Sequence, residues 1–501
     1  MPPVRSQLRT RSNPTDTTDD DASLPLFVGL DGIENLATII PGLITPKKDF
    51  DFSPMAKYNG ILLQLANIPT PLPLESFRVA HTMKDARSTA QKVLKRYNSE
   101  VLEYVSPHPF QFFEEQRSSY LGVQKSSRKK YQDFMEAVGA ERESVFADVL
   151  PNPYSTRVFD VNGVKLLSSF QYAAPEDLIA KNRGVFSTTG VRELVTEQPG
   201  LLDASPGHNH MIPKRFLHQA LHGTQSLLSV VPLERPDSGD RRHGAVDRSL
   251  QRSHYNVHRG WKGEGELRPE RCGVLHCVGC WPQVGHPNHV MTPSASFSAN
   301  STAGNAHERY YEETAALNAW LDELFKHEFP KHHAKFKKAH AAGRWSEVDP
   351  GPHLGRVIVW KLQSKDHIDD ADACPTITYV LGGNYSGGYM DLKDIRTRFL
   401  YPPGSVIMGF YGYLWHRVTD YVDQPCEPTE EAIKFSVTPG RVATVNYFPT
   451  GSFKQLHDKT ADWGRRTDWG RRLDPEEVHS EDKSVKRKKG RGGVKHRRQK
   501  T

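Results

Sequence analysis

Eight short apolar segments follow one another closely in the last third of this 501-residue chain, and they constrain its fold more than any other feature. They begin after Asp349-Pro350-Gly351-Pro352 and are separated mainly by glycine, proline and aspartate. In chain order they are RVIVWKL, TITYVLG, GGYMDL, TRFLY, SVIMGF, LWHRV, IKFSV and RVATVNYF. Strands this short and this closely spaced are typical of an all-β jelly roll or barrel, so we predict that fold here.

Upstream segments carry helical and hairpin patterns. Thr82 to Val105 has apolar residues near helical spacing, and a second helix with one apolar face is predicted to begin at about residue 306. Between them, residues 156–170 form two strand-like runs on either side of Asn162-Gly163. That dipeptide is a strong signal for a β-hairpin.

Composition divides the chain into five parts. Hydrophobic residues make up 37% of it and mean hydropathy is −0.61, which predicts that some segments are unpacked. We predict a disordered N-terminus (1–24), a mixed α/β flanking region (25–230), a disordered insertion (231–305), the β domain with its helical lead-in (306–450) and a basic C-terminal tail (451–501). The insertion is rich in Arg, Gly and His and poor in periodic apolar residues. This composition indicates a long disordered insertion, or else a mistranslated intron or a frameshift in the gene model.

Charge points to a polyanionic partner. The formal net charge is +7 and the sequence pI is about 8.9, which suits nucleic acid. Residues 483–500 contain no acid, and this polybasic tail predicts import into the nucleus. The five cysteines are too few for a secreted disulfide framework, so we expect a reducing compartment. No signal peptide and no bilayer-spanning run is recognisable, so no membrane partner is expected.

A His-x-Asp tripeptide follows the first of the eight segments. Residues i and i+2 of a strand share a face, so His367 and Asp369 can point at one ion. Non-haem iron(II) oxygenases use two histidines and one carboxylate, and His416 in a later strand supplies the third candidate ligand. The tripeptide alone is a weak signal. A Gly-Gly strand, a Pro-Gly turn, His416 and then Arg441 follow it in order, and this series is specific.

This series resembles the 2-oxoglutarate/Fe(II)-dependent dioxygenases, in which GGYMDL and YPPGSVIMGFYGYLWHRV match the Gly-Gly strand, Pro-Gly turn and distal-histidine strand. The resemblance implies an α+β chain with a double-stranded β-helix (jelly-roll) core, helical flanking regions and disordered tails. It also implies that His367, Asp369 and His416 bind Fe(II) and are the catalytic centre. Arg441 would pair with the distal carboxylate of 2-oxoglutarate, since a guanidinium recognises a carboxylate through two parallel hydrogen bonds.

Within that superfamily, TPGRVATVNYFP and the helical lead-in look most like the TET/JBP branch as expanded in fungi. The resemblance implies O2-dependent oxidation of methyl groups on DNA pyrimidines, which requires the base to be flipped out of the duplex. A protein hydroxylase of the prolyl type would use the same metal site. A catalytically inactive, transposon-derived protein that associates with DNA is a third reading.

The chain departs from the family pattern in two places. Many members carry Ser two positions after the arginine, where this chain has Ala443 with Thr444 beside it. The spacing from His416 to Arg441 is also longer than usual, so residues 420–434 are predicted to be an inserted loop.

Two neighbours rival the predicted site residues. Arg417 could replace Arg441 as the carboxylate partner, and Asp370 could replace Asp369 as the metal ligand. Strand alternation points both of them away from the face of the predicted ligands, so we favour Arg441 and Asp369.

Three further features have open interpretations. Cys272, Cys277 and Cys280 could hold Zn2+, but they contain only one CxxC pair, so zinc is the weaker interpretation. Trp463 and Trp469, interleaved with arginines, could stack on bases or pack as a lid. Three tyrosines lie near the metal motif in sequence: Tyr385, Tyr389 and Tyr411. They could stack on a base, but buried aromatics of a β core are commoner than stacking platforms.

Overall fold

The computed structural model describes a set of separated stretches of the chain. These are residues 82–147, 149, 151–176, 178–179, 209–234, 273–282, 290–298, 301–383, 385–423 and 441–472. All of them belong to one compact unit, Phe50–Thr501.

The described residues form strands and helices in a mixed order. The strands are β1 (Leu102–Val105), β2 (Thr156–Phe159), β3 (Lys165–Phe170), β4 (Gly273–Val278), β5 (Trp281–Pro282), β6 (Met291–Thr292), β7 (Gly355–Trp360), β8 (Ser364–His367), β9 (Asp372–Gly382), β10 (Tyr385–Gly387), β11 (Met390–Leu392), β12 (Thr397–Phe399), β13 (Val406–Gly409), β14 (His416–Val418), β15 (Tyr421–Asp423) and β16 (Val442–Pro449). The helices are α1 (Met83–Glu100), α2 (Phe110–Gln124), α3 (Arg128–Phe146), α4 (Lys214–Val230), α5 (Ala295–Ser298), α6 (Ser301–Glu328), α7 (Pro330–Gly343), α8 (Thr450–Leu456) and α9 (Trp463–Arg466), with a 3-10 helix at Lys393–Ile395. The predicted α+β class is therefore confirmed.

Of the four sheets that the described residues form, two hold the strands around the predicted motif. The larger sheet has eight strands in the order β1-β2-β3-β13-β9-β16-β7-β4, and β1 with β2 is the only parallel pair among its described strands. The smaller sheet has four antiparallel strands in the order β12-β11-β14-β8. From β7 onward the chain passes repeatedly between these two sheets, while β10 and β15 pair in a separate two-stranded sheet, so strands distant in sequence lie side by side.

Alternation along the strands gives the larger sheet two different faces. Ile377 and Tyr379 of β9 belong to an apolar cluster that also contains Trp320 of α6, and α6 in turn packs against α1 and α4. Thr378, between them in sequence, lines a cavity on the opposite face. Side chains on a strand alternate with a period of two, so one face packs against helices and the other surrounds the candidate site.

Local sequence signals explain where several elements begin and turn. Thr82 caps α1 with a capping box, accepting from the Asp85 N–H at 3.2 Å, and Pro330 occupies the first position of α7. The hairpin predicted at residues 156–170 is confirmed, since β2 and β3 pair antiparallel. Gly163 turns it with φ +78°, a left-handed conformation that glycine adopts without steric cost.

Other expectations need adjustment. The first predicted helix ends at Glu100 rather than at Val105, because Leu102–Val105 pairs with β2 as a strand. Within the stretch expected to be a disordered insertion, Gly273–Val278 is the buried edge strand β4 of the larger sheet. This strand forms because it pairs with β7, and a pairing with a distant strand cannot be predicted from the periodicity of the local sequence. The remaining domain boundaries stay predictions, and the segments 1–24, IKFSV and 483–500 lie outside the described residues.

Over the described parts of the chain, no helix combines the length and the apolar character that crossing a membrane requires.

Candidate metal centre

The smaller sheet brings the two predicted histidines together. His367 is the last residue of β8 and His416 the first of β14, and the two are direct partners in the antiparallel register. Their ring centroids lie 4.2 Å apart. Asp369 follows β8 by two residues, and its N–H donates to the Tyr411 carbonyl at 3.0 Å, which fixes its backbone beside the turn that precedes β14.

The Asp369 carboxylate lies between the two imidazoles. Its Oδ1 is 3.6 Å from His367 Nε2, and its Oδ2 is 3.5 Å from His416 Nε2. One ligand atom from each residue fits within a 4.8 Å span, and this is the only group of three or more potential metal ligands in the described part of the chain. Two imidazole nitrogens and one carboxylate oxygen form a donor set suited to first-row metals such as Fe(II).

Both rings are oriented by the same backbone contact. His367 Nδ1 lies 2.6 Å from the Lys365 carbonyl oxygen, and His416 Nδ1 lies 2.9 Å from the Leu414 carbonyl oxygen. A carbonyl oxygen only accepts, so each Nδ1 carries a proton, and each Nε2 is the nitrogen that faces Asp369 as the candidate metal ligand. Such contacts to the second ring nitrogen fix tautomer and orientation in metal-binding histidines.

Arg441 is a buried cation at the start of β16. It is 1% exposed, and its Nε and Nη2 find no hydrogen-bond acceptor among the described residues. The guanidinium carbon instead lies 5.3 Å from the ring centroid of Tyr401 and 5.7 Å from that of Tyr385. Burying an unpaired charge is costly, so the position calls for an anion as its partner.

The metal candidates and Arg441 line one cavity of about 150 Å³. Its walls are largely apolar and aromatic, with Val359 of β7 and Ala443 and Val445 of β16 on one side and Tyr411 close to His416. Ala443 thus faces the cavity without a hydroxyl, and Thr444 is not among the lining residues. The second carboxylate contact that the family pattern would place here is absent at this position.

The rival residues point elsewhere. Arg417 Nε donates to Asp391 Oδ2 at 3.3 Å, and Arg398 Nε donates to Asp391 Oδ1 at 2.7 Å. Arg417 is not among the lining residues of the cavity, and Asp370 does not belong to the metal-ligand group. Arg142 of α3 pairs in the same region with Asp366, the residue before His367. The structure therefore agrees with the prediction from strand alternation that Arg417 and Asp370 point away from the predicted ligands.

The other sequence candidates pack into the protein. Cys277 and Cys280 are buried, which raises the pKa of the Cys277 thiol to about 12 and moves the pKa of Cys280 in the same direction. Zinc binding requires thiolates, so these surroundings do not favour it, and Cys272 lies outside the described residues. Trp463 is buried and Trp469 stacks on Trp345 with centroids 6.1 Å apart, so both indoles pack against the protein.

The three tyrosines near the motif have different surroundings. Tyr411 lines the cavity, with its ring centroid 4.8 Å from that of His416. Tyr385 is buried, and its hydroxyl donates to the Tyr401 carbonyl at 2.6 Å. Tyr389 is half-buried, with the Arg398 guanidinium 5.7 Å from its ring centroid. Of the three, only Tyr411 is placed beside the metal candidates.

Sequence reasoning missed two side chains of the same cavity. His276 of β4 and Trp281 of β5 both line it, although they come from the stretch predicted to be an insertion. The signal that could have found them is the apolar run GVLHCV, which is long enough for a strand.

Comparison with known proteins gives distant similarities. No family model matches the chain, and no curated protein matches it. Among solved structures, one of NgTET1 in complex with 5mC DNA is similar over 62% of this chain and 88% of its own, at 10% identity and a TM-score of 0.29. A structure of OsALKBH1 is similar over 42% of this chain and 93% of its own, at 12% identity and a TM-score of 0.20. At these values neither likeness assigns a function, which must therefore be argued from the site itself.

Proposed function

We propose that this protein is an Fe(II)- and 2-oxoglutarate-dependent dioxygenase that oxidises methyl groups on pyrimidine bases of DNA. One observation carries the proposal. A two-histidine, one-carboxylate group lines the same cavity as a buried guanidinium, two of whose nitrogens have no hydrogen-bonded acceptor among the described residues. A structural ion pair does not explain this combination, because no carboxylate in the described part of the chain pairs with Arg441.

The three ligands fit the metal part of this proposal. His367, Asp369 and His416 approach from one side and leave the cavity for a co-substrate and O2. When bound, the iron supplies the oxidation of a C–H bond, coupled to conversion of 2-oxoglutarate into succinate and CO2. The chain itself holds the ligand geometry, since both imidazoles are fixed by backbone carbonyls.

Arg441 fits the co-substrate part. A dicarboxylate with one end at the metal would place its other carboxylate near the guanidinium, which offers paired N–H donors. Ala443 and Val445 on the adjoining strand present apolar surface to the cavity, so water is a poor competitor for the cation. In a site of low polarity this charge-assisted contact is stronger than it would be in water.

We also infer that the two sheets form the double-stranded β-helix predicted from the sequence. The order β13-β9-β16-β7 in one sheet and β12-β11-β14-β8 in the other supports this, because the chain winds repeatedly from one sheet to the other. The winding explains how β8 and β14, far apart in sequence, become neighbours that present His367 and His416 together.

A basic helix supports nucleic acid as the substrate. Lys331, Lys335 and Lys338 of α7 are exposed at i, i+4 and i+7, so they share one face, and the helix contains no acidic residue. Phe336 packs inward against Phe448, with ring centroids 5.3 Å apart, and the next residue, Pro449, lines the cavity. The helix that carries the lysine face is therefore anchored to the strand end at the site, where it could bind phosphates.

Nuclear location accompanies this proposal. Its support is the polybasic sequence of residues 483–500, which lies outside the described residues.

Mass spectrometry of DNA tests the substrate. Purified protein is incubated aerobically with Fe(II), 2-oxoglutarate and DNA containing 5-methylcytosine and thymine, and the nucleosides are quantified. We expect oxidised 5-methylpyrimidines with the wild type and none with His367→Ala. Oxidation of a peptide library instead, with unchanged DNA, would replace the proposal by a protein hydroxylase. No turnover of 2-oxoglutarate with either substrate would indicate the inactive DNA-associated protein.

A further inference from the structure

The segment Gly273–Pro282 contributes His276 and Trp281 to the cavity, although neither belongs to the strands that carry the metal candidates or Arg441. We propose that these two residues form the wall that recognises the substrate, and that they select a planar heterocycle with a polar edge, such as a nucleobase. This inference rests on the proposed function, because it assigns the substrate side of the same site.

Strand pairing directs His276 toward the cavity. β4 pairs antiparallel with β7, and His276 lies opposite Val357, a lining residue. Its sequence neighbours Leu275 and Cys277 point the other way, into the apolar cluster beneath the helices. Because side chains alternate along a strand, the His276 ring lies on the cavity side of β4, while the opposite face of β4 packs into the apolar cluster.

Glu234 orients that ring. Its Oε2 lies 3.4 Å from His276 Nδ1. Glu234 and Val274 also exchange two backbone hydrogen bonds of 2.7 and 2.9 Å, so the backbone of Glu234 is held against β4, the strand that carries His276. A carboxylate beside one ring nitrogen favours the tautomer with the proton there, and the imidazole then presents a defined hydrogen-bonding edge to a ligand.

Trp281 is held by contacts on either side of it in sequence. The Ser452 hydroxyl donates to the Cys280 carbonyl at 2.6 Å, and both residues are buried. Pro282 packs so closely on Gly451 that a Cβ added to this glycine would lie 2.8 Å from its Cγ. β5 also pairs with β6. The backbone that carries the indole is thus fixed to α8, the helix that directly follows the cavity-lining strand β16.

The two aromatic residues at this wall are arranged as a corner. The ring centroids of Trp281 and Tyr447 are 6.5 Å apart and their planes are inclined by 67°. A flat ligand can stack on one aromatic face while its edge meets the other. Together with a directed imidazole, this corner suits a planar ring with hydrogen-bonding atoms better than a flexible aliphatic chain.

Binding measurements test this wall without requiring turnover. Two short single-stranded oligonucleotides serve as probes, one with a single 5-methylcytosine and one with an abasic residue at that position. Their Kd values for protein loaded with Mn(II) and 2-oxoglutarate under anaerobic conditions are compared by fluorescence anisotropy. We expect the wild type to prefer the methylcytosine probe by roughly tenfold, the order of magnitude of one stacked base.

The variants give the decisive comparison. Trp281→Ala and His276→Ala should bring that ratio close to one, whereas Trp281→Phe should retain most of it. His457→Ala, which changes an exposed histidine outside the cavity lining, should keep the wild-type ratio. A wild-type ratio near one, or a tenfold ratio that survives in Trp281→Ala, overturns the inference. Failure of the proposed function has a separate readout, because wild-type protein would then release no succinate from 2-oxoglutarate in the presence of methylated DNA.

Discussion

His367 and His416 are opposite partners in two antiparallel strands, and each directs Nδ1 to the backbone carbonyl of the residue two positions before it. The repeated contact gives both imidazoles the same tautomer. Each Nε2 then lies within 3.6 Å of a different oxygen of Asp369. The three donor groups are thus preorganised by backbone and sheet register.

Removing either imidazole should weaken metal binding. We expect His367→Ala and His416→Ala to lower the affinity for Mn(II), used as an Fe(II) substitute, by roughly 100-fold or more, because losing a direct ligand should exceed the 10- to 100-fold cost of losing an outer contact. Isothermal titration calorimetry measures the change. His457→Ala is the matched control, and an equal loss in that variant would show that the effect is not specific to this site.

Replacing Arg441 should separate co-substrate binding from stability. In Arg441→Met, we expect the KM for 2-oxoglutarate to rise by roughly 100-fold, since charge-assisted hydrogen bonds are lost. The Tm should stay the same or rise, because the variant removes a buried charge that has no carboxylate partner among the described residues.

Arg417→Met is the control for Arg441→Met, and we expect it to change stability and KM in the opposite way. Arg417 is paired with Asp391 and does not line the cavity. That variant should lose stability and keep the KM for 2-oxoglutarate. If Arg441→Met instead lowered the Tm and left the KM unchanged, the guanidinium would be a structural cation.

The lysine face of α7 should bind phosphates. Lys331→Ala, Lys335→Ala and Lys338→Ala combined should weaken DNA binding and reduce the slope of log K against log salt by up to roughly 3, since each phosphate contact contributes about 0.9. The matched control replaces three exposed lysines of α1, a helix that also contains Asp85 and Glu100; these are Lys84, Lys92 and Lys95. Equal losses of DNA affinity in both triple variants would mean that binding depends on net charge and not on the lysine face of α7.

Stability should fall in mild acid because of buried histidines. Burial lowers the pKa of His353 to about 4, below its usual 6.5. From pH 6.5 down to about 4 the unfolded chain therefore binds a proton that the folded protein does not. The free energy of unfolding should drop by about 1.4 kcal/mol per pH unit for this group where the proton difference is complete. Burial lowers the pKa of His218 to about 4 as well, so it acts in the same direction.

Urea denaturation between pH 7 and 5 measures this dependence. His353→Gln can still donate to the Pro375 carbonyl, which His353 Nε2 contacts at 3.1 Å, but it cannot take up a proton in this range. Its stability should therefore decline less steeply with acid than that of the wild type. Identical slopes for the two proteins would contradict the assigned pKa shift.

The His-x-Asp part of the metal group was predictable because its geometry is local. His367 ends β8 and Asp369 follows it by two residues, so a period of two suffices to make them face one ion. The choice of Arg441 over Arg417 rested on the same alternation, and the structure pairs Arg417 with Asp391 on the other side. Short-range rules thus specified which side chains point inward.

His276 and Trp281 were not predictable in the same way. They reach the cavity because β4 pairs with β7, which is distant in sequence, and no local period signals such a pairing. The Arg- and Gly-rich residues before them lower the average hydropathy of the segment, so composition did not indicate the buried strand β4. The charge state of Arg441 was predictable, but its lack of a hydrogen-bonded acceptor at Nε and Nη2 depends on the packing of the described residues.

Release of succinate from 2-oxoglutarate tests the central claim most directly. Purified wild-type protein is assayed with Fe(II), O2 and methylated DNA beside His367→Ala, Arg441→Met and the His457→Ala control. The site described here predicts succinate formation by the wild type and the control, none by His367→Ala, and formation by Arg441→Met only at greatly raised 2-oxoglutarate. Turnover that survives unchanged in His367→Ala would contradict the assignment of the metal centre.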